Sequence, residues 1–348
     1  MSDLDRRSSP TRPSGPRLMG GLRVILTVVT LIMLALWAMA PWLASRNPSV
    51  QELVWIPEWL WLIAMLPGAM VLILISIGSS SRKRGLCWSL AGMVPVLIVA
   101  GGVWKREWRP DRPGGAGDRG RVVFLNAQDP GSEEAGGILD AIDDCRADLV
   151  IVVNPGQSLA SIWRSRIRQE REGAGSSASG TAAEWSILWL SHVLVASPHG
   201  KVSLRTVSVR EGIRVMRVGP SETVAEAIGL SDILVVDLPS DPTLDRTEIL
   251  AGLSALLEKQ REESGLRADL VVGDFNTTPR TVGLEEVWPG MSDVYPGSGS
   301  GWGATWPRER PMIRIDMALT PQHVDVRRLS TFDPGDGGHR GLVIEIDP

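Results

Sequence analysis

The residues best placed to do chemistry stand where apolar runs end. Asp274 and Asn276 follow Leu-Val-Val within GDFN (273–276). Positions i and i+2 of an extended chain face the same side, so this carboxylate and this amide reach one rim and can act on one ligand. Asn126 ends RVVFLN and Asn154 ends DLVIVVN in the same manner. His339 stands just before the last apolar run, GLVIEI (341–346). Asp316 lies between Ile315 and Met317. A carboxylate buried there needs a partner, and a His or an Arg would serve. Taken singly each has an ordinary reading, since Asn after a strand is a common turn residue. The functional case is the recurrence of such rims in one order along the chain.

The elements that must carry these residues alternate. RVVFLNA (121–127), DLVIVVN (148–154), ILVVDLP (233–239) and DLVVGDFN (269–276) are short apolar runs rich in β-branched residues, the pattern of buried strands. Strands are also expected near 186–196, 201–209, 213–218, 312–320 and 341–346. Ser132 to Cys145 reads as a helix with Ser132 as N-cap and Ile138, Leu139 and Ile142 on one face. Residues 157–171 suggest a basic amphipathic helix, and Leu250, Leu253, Leu256 and Leu257 give 244–264 a helical period. Many strands with few long helices predict two sheets packed face to face and flanked by helices.

Before this domain comes membrane material. Residues 24–44, 59–78 and 86–104 are three apolar runs, the first free of charge throughout. Each is about long enough to cross a hydrocarbon core of ~30 Å. Eight of the 14 Trp fall in residues 1–108, and Trp42, Trp55, Trp59, Trp61, Trp104 and Trp108 flank the runs as interfacial anchors do. Residues 1–21 read as a disordered cytoplasmic arm, 22–108 as the three-helix membrane region, 109–120 as a linker and 121–348 as the folded domain. Residues 172–183 read as a mobile surface loop. Arg6, Arg7, Arg12, Arg17 and Arg23 precede the first run and Arg82, Lys83 and Arg84 precede the third, whereas the loop after the first run has only Arg46. The positive-inside rule then puts the N-terminus in the cytoplasm and the domain outside. Lys105, Arg106, Arg109 and Arg112, directly after the third run, pull the other way.

Charge and composition narrow the classes. The net charge of -4 hides +7 over residues 1–112 and -11 over the rest, so the domain lacks the basic footprint of a nucleic-acid binder. Two Cys and four His cannot build a disulfide framework or a Cys/His zinc site.

The order VVGDFNTTP (271–279), GWGATWP (301–307), RIDMALT (314–320) and GGHRGLVIEI (337–346) resembles the endonuclease/exonuclease/phosphatase superfamily over residues 119–348. With three spans ahead of it, the chain looks similar to a membrane-anchored subgroup linked to teicoplanin resistance. The resemblance implies an α/β (α+β) fold, a four-layer αββα sandwich. It implies Asp274 orienting or deprotonating the attacking water and Asn276 holding a phosphate oxygen or that water. His339 would bind the phosphate, Asp316 would fix its ring and keep it cationic, and Asn126 would sit beside metal and phosphate. It also implies Mg2+ or Mn2+, with Asn126, Asn154 and Asp336 as the available ligands.

Three positions depart from that pattern. The family's Glu at the end of the second strand is Asn154, its Asp before the terminal His is Gly338, and its mid-domain His is Asp237. Losing a carboxylate about 4 Å from a cation forfeits roughly 4 kcal/mol per unit charge at an effective dielectric near 20. Asp336 and Asp237 are the acids that could make good the loss. Two functions follow as expectations: a membrane-anchored phosphoesterase acting on a phosphorylated lipid or similar ester, or a non-catalytic membrane-tethered binding module. A nuclease ranks third.

Overall fold

The computed structural model describes residues 15–77, 81–111, 120–173, 185–210 and 212–347. Most of the expected arm and linker, and nearly all of the expected surface loop, lie outside them. The chain forms two compact units: one holds the residues up to Met39 with Glu58–Gly101, the other Ala40–Pro57 with everything from Gly102 on.

The elements run in chain order as α1 (Gly15–Arg46), α2 (Glu52–Trp55), α3 (Glu58–Ile77), α4 (Arg82–Arg106), β1 (Trp108–Arg109), β2 (Gly120–Asn126), α5 (Ser132–Asp144), β3 (Leu149–Val153) and α6 (Gly156–Gly173). There follow β4 (Ser186–Leu190), β5 (Val193–Ser197), β6 (Val202–Arg210), β7 (Ile213–Pro220), α7 (Glu222–Ile228), β8 (Ile233–Asp237), α8 (Arg246–Ser264) and β9 (Leu270–Asp274). The last are α9 (Leu284–Val287), β10 (Met291–Asp293), α10 (Tyr295–Ser298), β11 (Gly299–Trp302), β12 (Asp316–Pro321), β13 (Val326–Phe332) and β14 (Gly341–Ile346).

In the first unit three helices are long and apolar enough to cross a membrane. They leave Val24, Ile25, Ile32, Leu74 and Leu97 exposed. Small residues let the helices approach: a Cβ on Gly92 would stand 3.1 Å from the Ala69 backbone. Arg23 Nη2 donates to the Ile75 carbonyl (2.8 Å). Two expectations are corrected here. Helix α1 begins at Gly15, so residues 15–21 are not part of the arm. Trp61 is buried among helices instead of anchoring at an interface.

The second unit is the four-layer sandwich. Strands β1-β11-β13-β14-β2-β3-β5-β4 form one sheet and β10-β12-β9-β8-β7-β6 the other. Period-two alternation sorts the side chains. Val122, Phe124, Ile151 and Val153 of the first sheet meet Met216, Val218, Val235 and Val272 of the second in the central core. Val123, Leu125, Val150 and Val152 point the other way, onto Ile138, Leu139, Leu159 and Trp163 of α5 and α6. In the second sheet Leu234, Val236, Val271 and Met317 pack outward on Leu250, Leu253 and Leu257 of α8. Both helix-facing and sheet-facing sides are thus apolar, so the strands read as unbroken hydrophobic runs.

Ends are capped by short polar residues. Asp245 accepts from the Thr247 and Glu248 amides at the start of α8 (2.8 and 3.4 Å). At α5 the N-cap is Gly131 and not Ser132, and Glu134 accepts from the Gly131 amide (2.8 Å). The 186–196 segment is a hairpin, broken at Ser191 (φ 56°).

Gly273 is required by close approach. A Cβ there would fall 2.0 Å from the Val236 carbonyl oxygen of the neighbouring strand β8. Gly273→Ala should therefore force β8 and β9 apart, destabilising the domain by about 3 kcal/mol, the upper range for overpacking. Urea unfolding of the two proteins side by side checks it; an unchanged midpoint would contradict this packing.

Candidate functional site

Strand register, more than sequence proximity, builds the site. Arg214 pairs with Asp237, Asp237 with Asp274, and Asp274 with Asp316 across β7, β8, β9 and β12. One guanidinium and three carboxylates thus stand side by side at one end of the second sheet, at the usual strand spacing of about 4.8 Å. Asn126 and Asn154, at the ends of β2 and β3, face this row from the first sheet. Asn126 Nδ2 donates to Asp274 Oδ2 (2.9 Å) and Asn154 Nδ2 lies 3.5 Å from Asp237 Oδ2.

The polarity of these amides is set from one end. A guanidinium only donates. Arg214 Nη1 donates to Asn154 Oδ1 (3.2 Å) and Asp237 Oδ2 (3.1 Å). Asn154 must then turn its Nδ2 inward, where it donates to Asn126 Oδ1 (3.2 Å). Asn126 in turn presents its own Nδ2 to Asp274. The result is a directed chain, Arg214 to Asn154 to Asn126 to Asp274. Asn154 and Asn276 both sit in the left-handed region (φ 49° and 45°), a conformation Asn accepts more readily than most residues.

At the far end His339 Nδ1 is bonded to Asp316 Oδ2 (2.8 Å), both side chains buried. Burial alone would lower the His339 pKa, but the Asp316 carboxylate and its hydrogen bond outweigh it, helped by Asp274 and Asp237, and raise it to about 9. The ring is therefore an imidazolium at neutral pH. Burial, followed by the nearby Asp316 charge, pushes the Asp274 carboxyl upward, against the pull of His339. Asp237 is also raised, by burial first, with Arg214 opposing. Nε2 of His339 stands 3.9 Å from Asp274 Oδ2, too far for a hydrogen bond, so both face a gap that a third group can fill. Asn276 orients Asp274, its backbone amide donating to Oδ1 (2.9 Å), and spends Nδ2 on the Leu238 carbonyl (2.8 Å).

These groups open into a cleft of about 830 Å3. Its floor includes Asn126, Asn154, Arg214, Asp237, Asp274, Asn276 and His339; its rim includes Trp55, Pro239, Pro242, Trp306 and Ile315. Trp55 corrects the expectation of an interfacial anchor. It belongs to the connection between α1 and α3, which docks on the domain: Gln51 Nε2 donates to the Pro242 carbonyl (2.6 Å) and Thr278 Oγ1 to the Val54 carbonyl (3.2 Å). The Arg246 guanidinium lies 5.6 Å from the Trp55 ring and holds the rim by donating to the Pro239 and Asp241 carbonyls (2.6 and 2.8 Å).

Five of the expected residues, Asn126, Asp274, Asn276, Asp316 and His339, are brought together, and Asn154 joins them. Asp336 does not. It is absent from the cleft lining, and its Oδ2 lies 3.6 Å from where a Cβ on Gly137 would stand, beside α5. Glycines at 335 and 337 (φ 82° and 83°) turn the chain so that this carboxylate leaves the site. A side chain at Gly338 would require the Gln128 side chain to move aside, since a Cβ there would stand 1.9 Å from its Oε1. Arg164, Arg166 and Arg168 are absent from the lining as well, and Arg166 is paired with Asp140 and Asp143 (2.7 and 3.3 Å). Sequence reading passed over Arg214, Trp55 and Gln128. For Arg214 a signal exists: it shares the parity of Met216 and Val218, which face the core, so it sits on the inward face of its strand's tip.

A divalent cation fits this set poorly. Asp274, Asp316 and His339 hold ligand-type atoms within 4.8 Å of one another, close enough to converge on an ion. But His339 Nδ1 is taken up by Asp316 (2.8 Å), so only its Nε2 is left to face an ion. At the other end the Asn154 oxygen already faces Arg214 Nη1 at 3.2 Å. A Mg2+ at its usual ~2.1 Å from that oxygen would have to displace this guanidinium N–H from it, and the Asn126 oxygen is likewise taken, by the Asn154 Nδ2 and the Gln128 amide (each 3.2 Å).

No protein-family model matches the chain, and no curated protein matches it. Solved structures do. D. rerio TDP2 complexed with single-strand DNA product is similar at 11% identity over 66% of this chain and 99% of that one, with a TM-score of 0.46. An endonuclease/exonuclease/phosphatase family protein from Leptotrichia buccalis C-1013-b is 13% identical over 66% and 100%, with a TM-score of 0.44. The Bacteroides thetaiotaomicron mannosyl-6-phosphatase Bt3783 is 11% identical over 66% and 100%, with a TM-score of 0.43. At these identities and scores the chemistry of this cleft stands on its own residues.

Replacing Asp316 by Asn should move the His339 pKa down by about 1–3 on the pH scale. The stability consequence has a definite sign. With His339 at about 9 folded against 6.5 as a free side chain, its contribution is complete below pH 6.5 and is lost as pH rises to 9. Nitrogen-15 histidine NMR and unfolding across that range check both; an unshifted His339 in Asp316→Asn would contradict the pairing.

Proposed function

We propose that the protein is a membrane-anchored phosphoester hydrolase of the endonuclease/exonuclease/phosphatase type, acting on a phosphorylated membrane amphiphile at the outer face. The observation that carries this is the gap between Asp274 and the His339 imidazolium at the floor of a cleft whose rim is partly Trp55. Phosphoryl transfer needs positioning and positive charge around the equatorial oxygens, with no covalent nucleophile. Asp274, with its raised pKa, takes a proton from water as the water oxygen bonds to phosphorus. The His339 imidazolium holds a non-bridging oxygen as negative charge gathers there. The ester P–O bond breaks and the departing oxygen takes a proton from solvent. Asn126 and the Asn276 backbone keep Asp274 aimed.

The amphiphile is supported by the rim. Trp55 and Trp306 offer apolar faces above a polar floor, a match for a phosphate on an apolar tail. Trp55 also comes from the connection between two membrane-length helices. Three crossings would put that connection and the domain on one side of the bilayer, in keeping with its contacts with Pro242 and Thr278, and the charge bias of the short loops supports the outer side. The acidic domain does not favour nucleic acid as a partner. A second reading, phosphate binding without turnover, is favoured by one observation: Asn154 supplies an amide where the resemblance leads one to expect a carboxylate.

Activity on a short-chain phosphatidic acid and on a soluble aryl phosphate, each with Mg2+, with Mn2+ and with EDTA, tests the first reading. Asp274→Asn should cost about 10²–10⁴-fold and His339→Gln about 10²–10³-fold in kcat. The pH profile should rise as Asp274 ionises and fall as His339 deprotonates near 9, and His339→Gln should lose the falling limb. Trp55→Ala should raise KM for the lipid and leave the soluble ester unchanged. Turnover indistinguishable from Asp274→Asn in all three media would leave only the binding reading.

A further inference from the structure

The disagreement between the metal expectation and the residues present has a specific resolution. Arg214 Nη1 is taken up by Asn154 and Asp237, while Nη2 and Nε have no hydrogen-bond partner among the described residues and the side chain is 40% exposed, at the cleft. Arg214 lines the cleft together with Asn126, Asn154 and Asp274, and two of its planar N–H groups are left for a ligand. The row of strand ends places this guanidinium at one end of three acids and the His339 ring at the other. The cleft floor lies between that guanidinium and the His339 ring. A guanidinium is the side chain whose fork matches two oxygens of a phosphate.

We propose that Arg214 is the resident cation of this site, that it binds the phosphoryl oxygens of the ligand directly, and that phosphate binding here requires no divalent metal. Resting on the reading of the cleft as a phosphoryl site, it adds the residue and the charge that do the holding. Asp237 and Asn154 serve as its anchors: they fix Nη1 and leave Nη2 and Nε unspent. Asn154 in place of a carboxylate leaves Asp237 as the one acid bonded to this guanidinium. The ligand class is a phosphate ester whose non-bridging oxygens take the free N–H groups of Arg214 in the cleft that His339 also lines.

The test is calorimetric titration of the full chain in detergent micelles with inorganic phosphate and, separately, with dihexanoyl phosphatidic acid, in EDTA and in Mg2+. The affinity should be equal in the two media within about twofold. Arg214→Gln should weaken it by roughly tenfold to a hundredfold, the range for a lost charge-assisted bond, and Arg214→Lys by less. Because Arg214→Gln strands the Asp237 carboxylate, the double variant Arg214→Gln/Asp237→Asn is measured with it. A loss that persists there belongs to the missing cation, whereas full recovery in the double variant overturns the proposal. So does affinity that disappears in EDTA, returns with Mg2+ and ignores Arg214→Gln; in that case the phosphoryl site stands and only the cation assignment falls. No binding of either ligand in either medium overturns the phosphoryl site itself, and this proposal with it.

Discussion

Three carboxylates on adjacent strands, at one level of one sheet, are the constraint on which this molecule turns. Two unit charges about 5 Å apart cost about 3 kcal/mol at an effective dielectric near 20. Asp237, Asp274 and Asp316 cannot all be ionised and buried without help. The help is visible on every side. Arg214 closes one end of the row, the His339 ring closes the other, and Asn126 and Asn154 reach across from the opposite sheet with N–H groups. What charge remains is relieved by the raised pKa of Asp274. A base poised to ionise above neutrality, beside a cation held by a carboxylate, is thus a consequence of charge crowding.

The same constraint accounts for the packing beneath. The acids hold one register only because β8, β9 and β12 are in strict ladder, and Gly273 lets β9 lie against β8 with no side chain between. The apolar core on both faces of each sheet supplies the rigidity. Above the site the rim is tied down by Arg246, which holds the Pro239–Asp241 turn from behind, and by the residues around Gln51. The chain between two membrane-length helices therefore doubles as part of the cleft wall.

Much of this was legible in the sequence. Apolar runs ending in Asn126, Asn154, Asp274 and Asn276 located the rim, because a buried strand can carry polar groups only at its tip. A sheet sandwich flanked by helices followed from many strands and few helices, and its four layers from the resemblance carried by the GDFN, RID and terminal His stretches. What escaped did so for physical reasons. Cross-strand register is set by the whole sheet, so the row Arg214, Asp237, Asp274, Asp316 has no local signature. Trp55 carries the same letter as a membrane-interface tryptophan, and only its docking on Arg246 separates the two. Asp336 stands three residues from His339, near enough in sequence to serve, but flanking glycines send it toward α5. Strands β1, β10, β11 and β13 are short or polar and gave no clear period.

The central proposal is an oxyanion held in the cleft that Arg214 and His339 line. Anomalous diffraction from crystals of the protein soaked with tungstate, in the presence of EDTA, would locate it directly. The claim predicts a single strong peak within hydrogen-bonding distance of the Arg214 guanidinium and of His339 Nε2. A cleft with no peak, or tungstate bound only on the basic surface of α6, would contradict it.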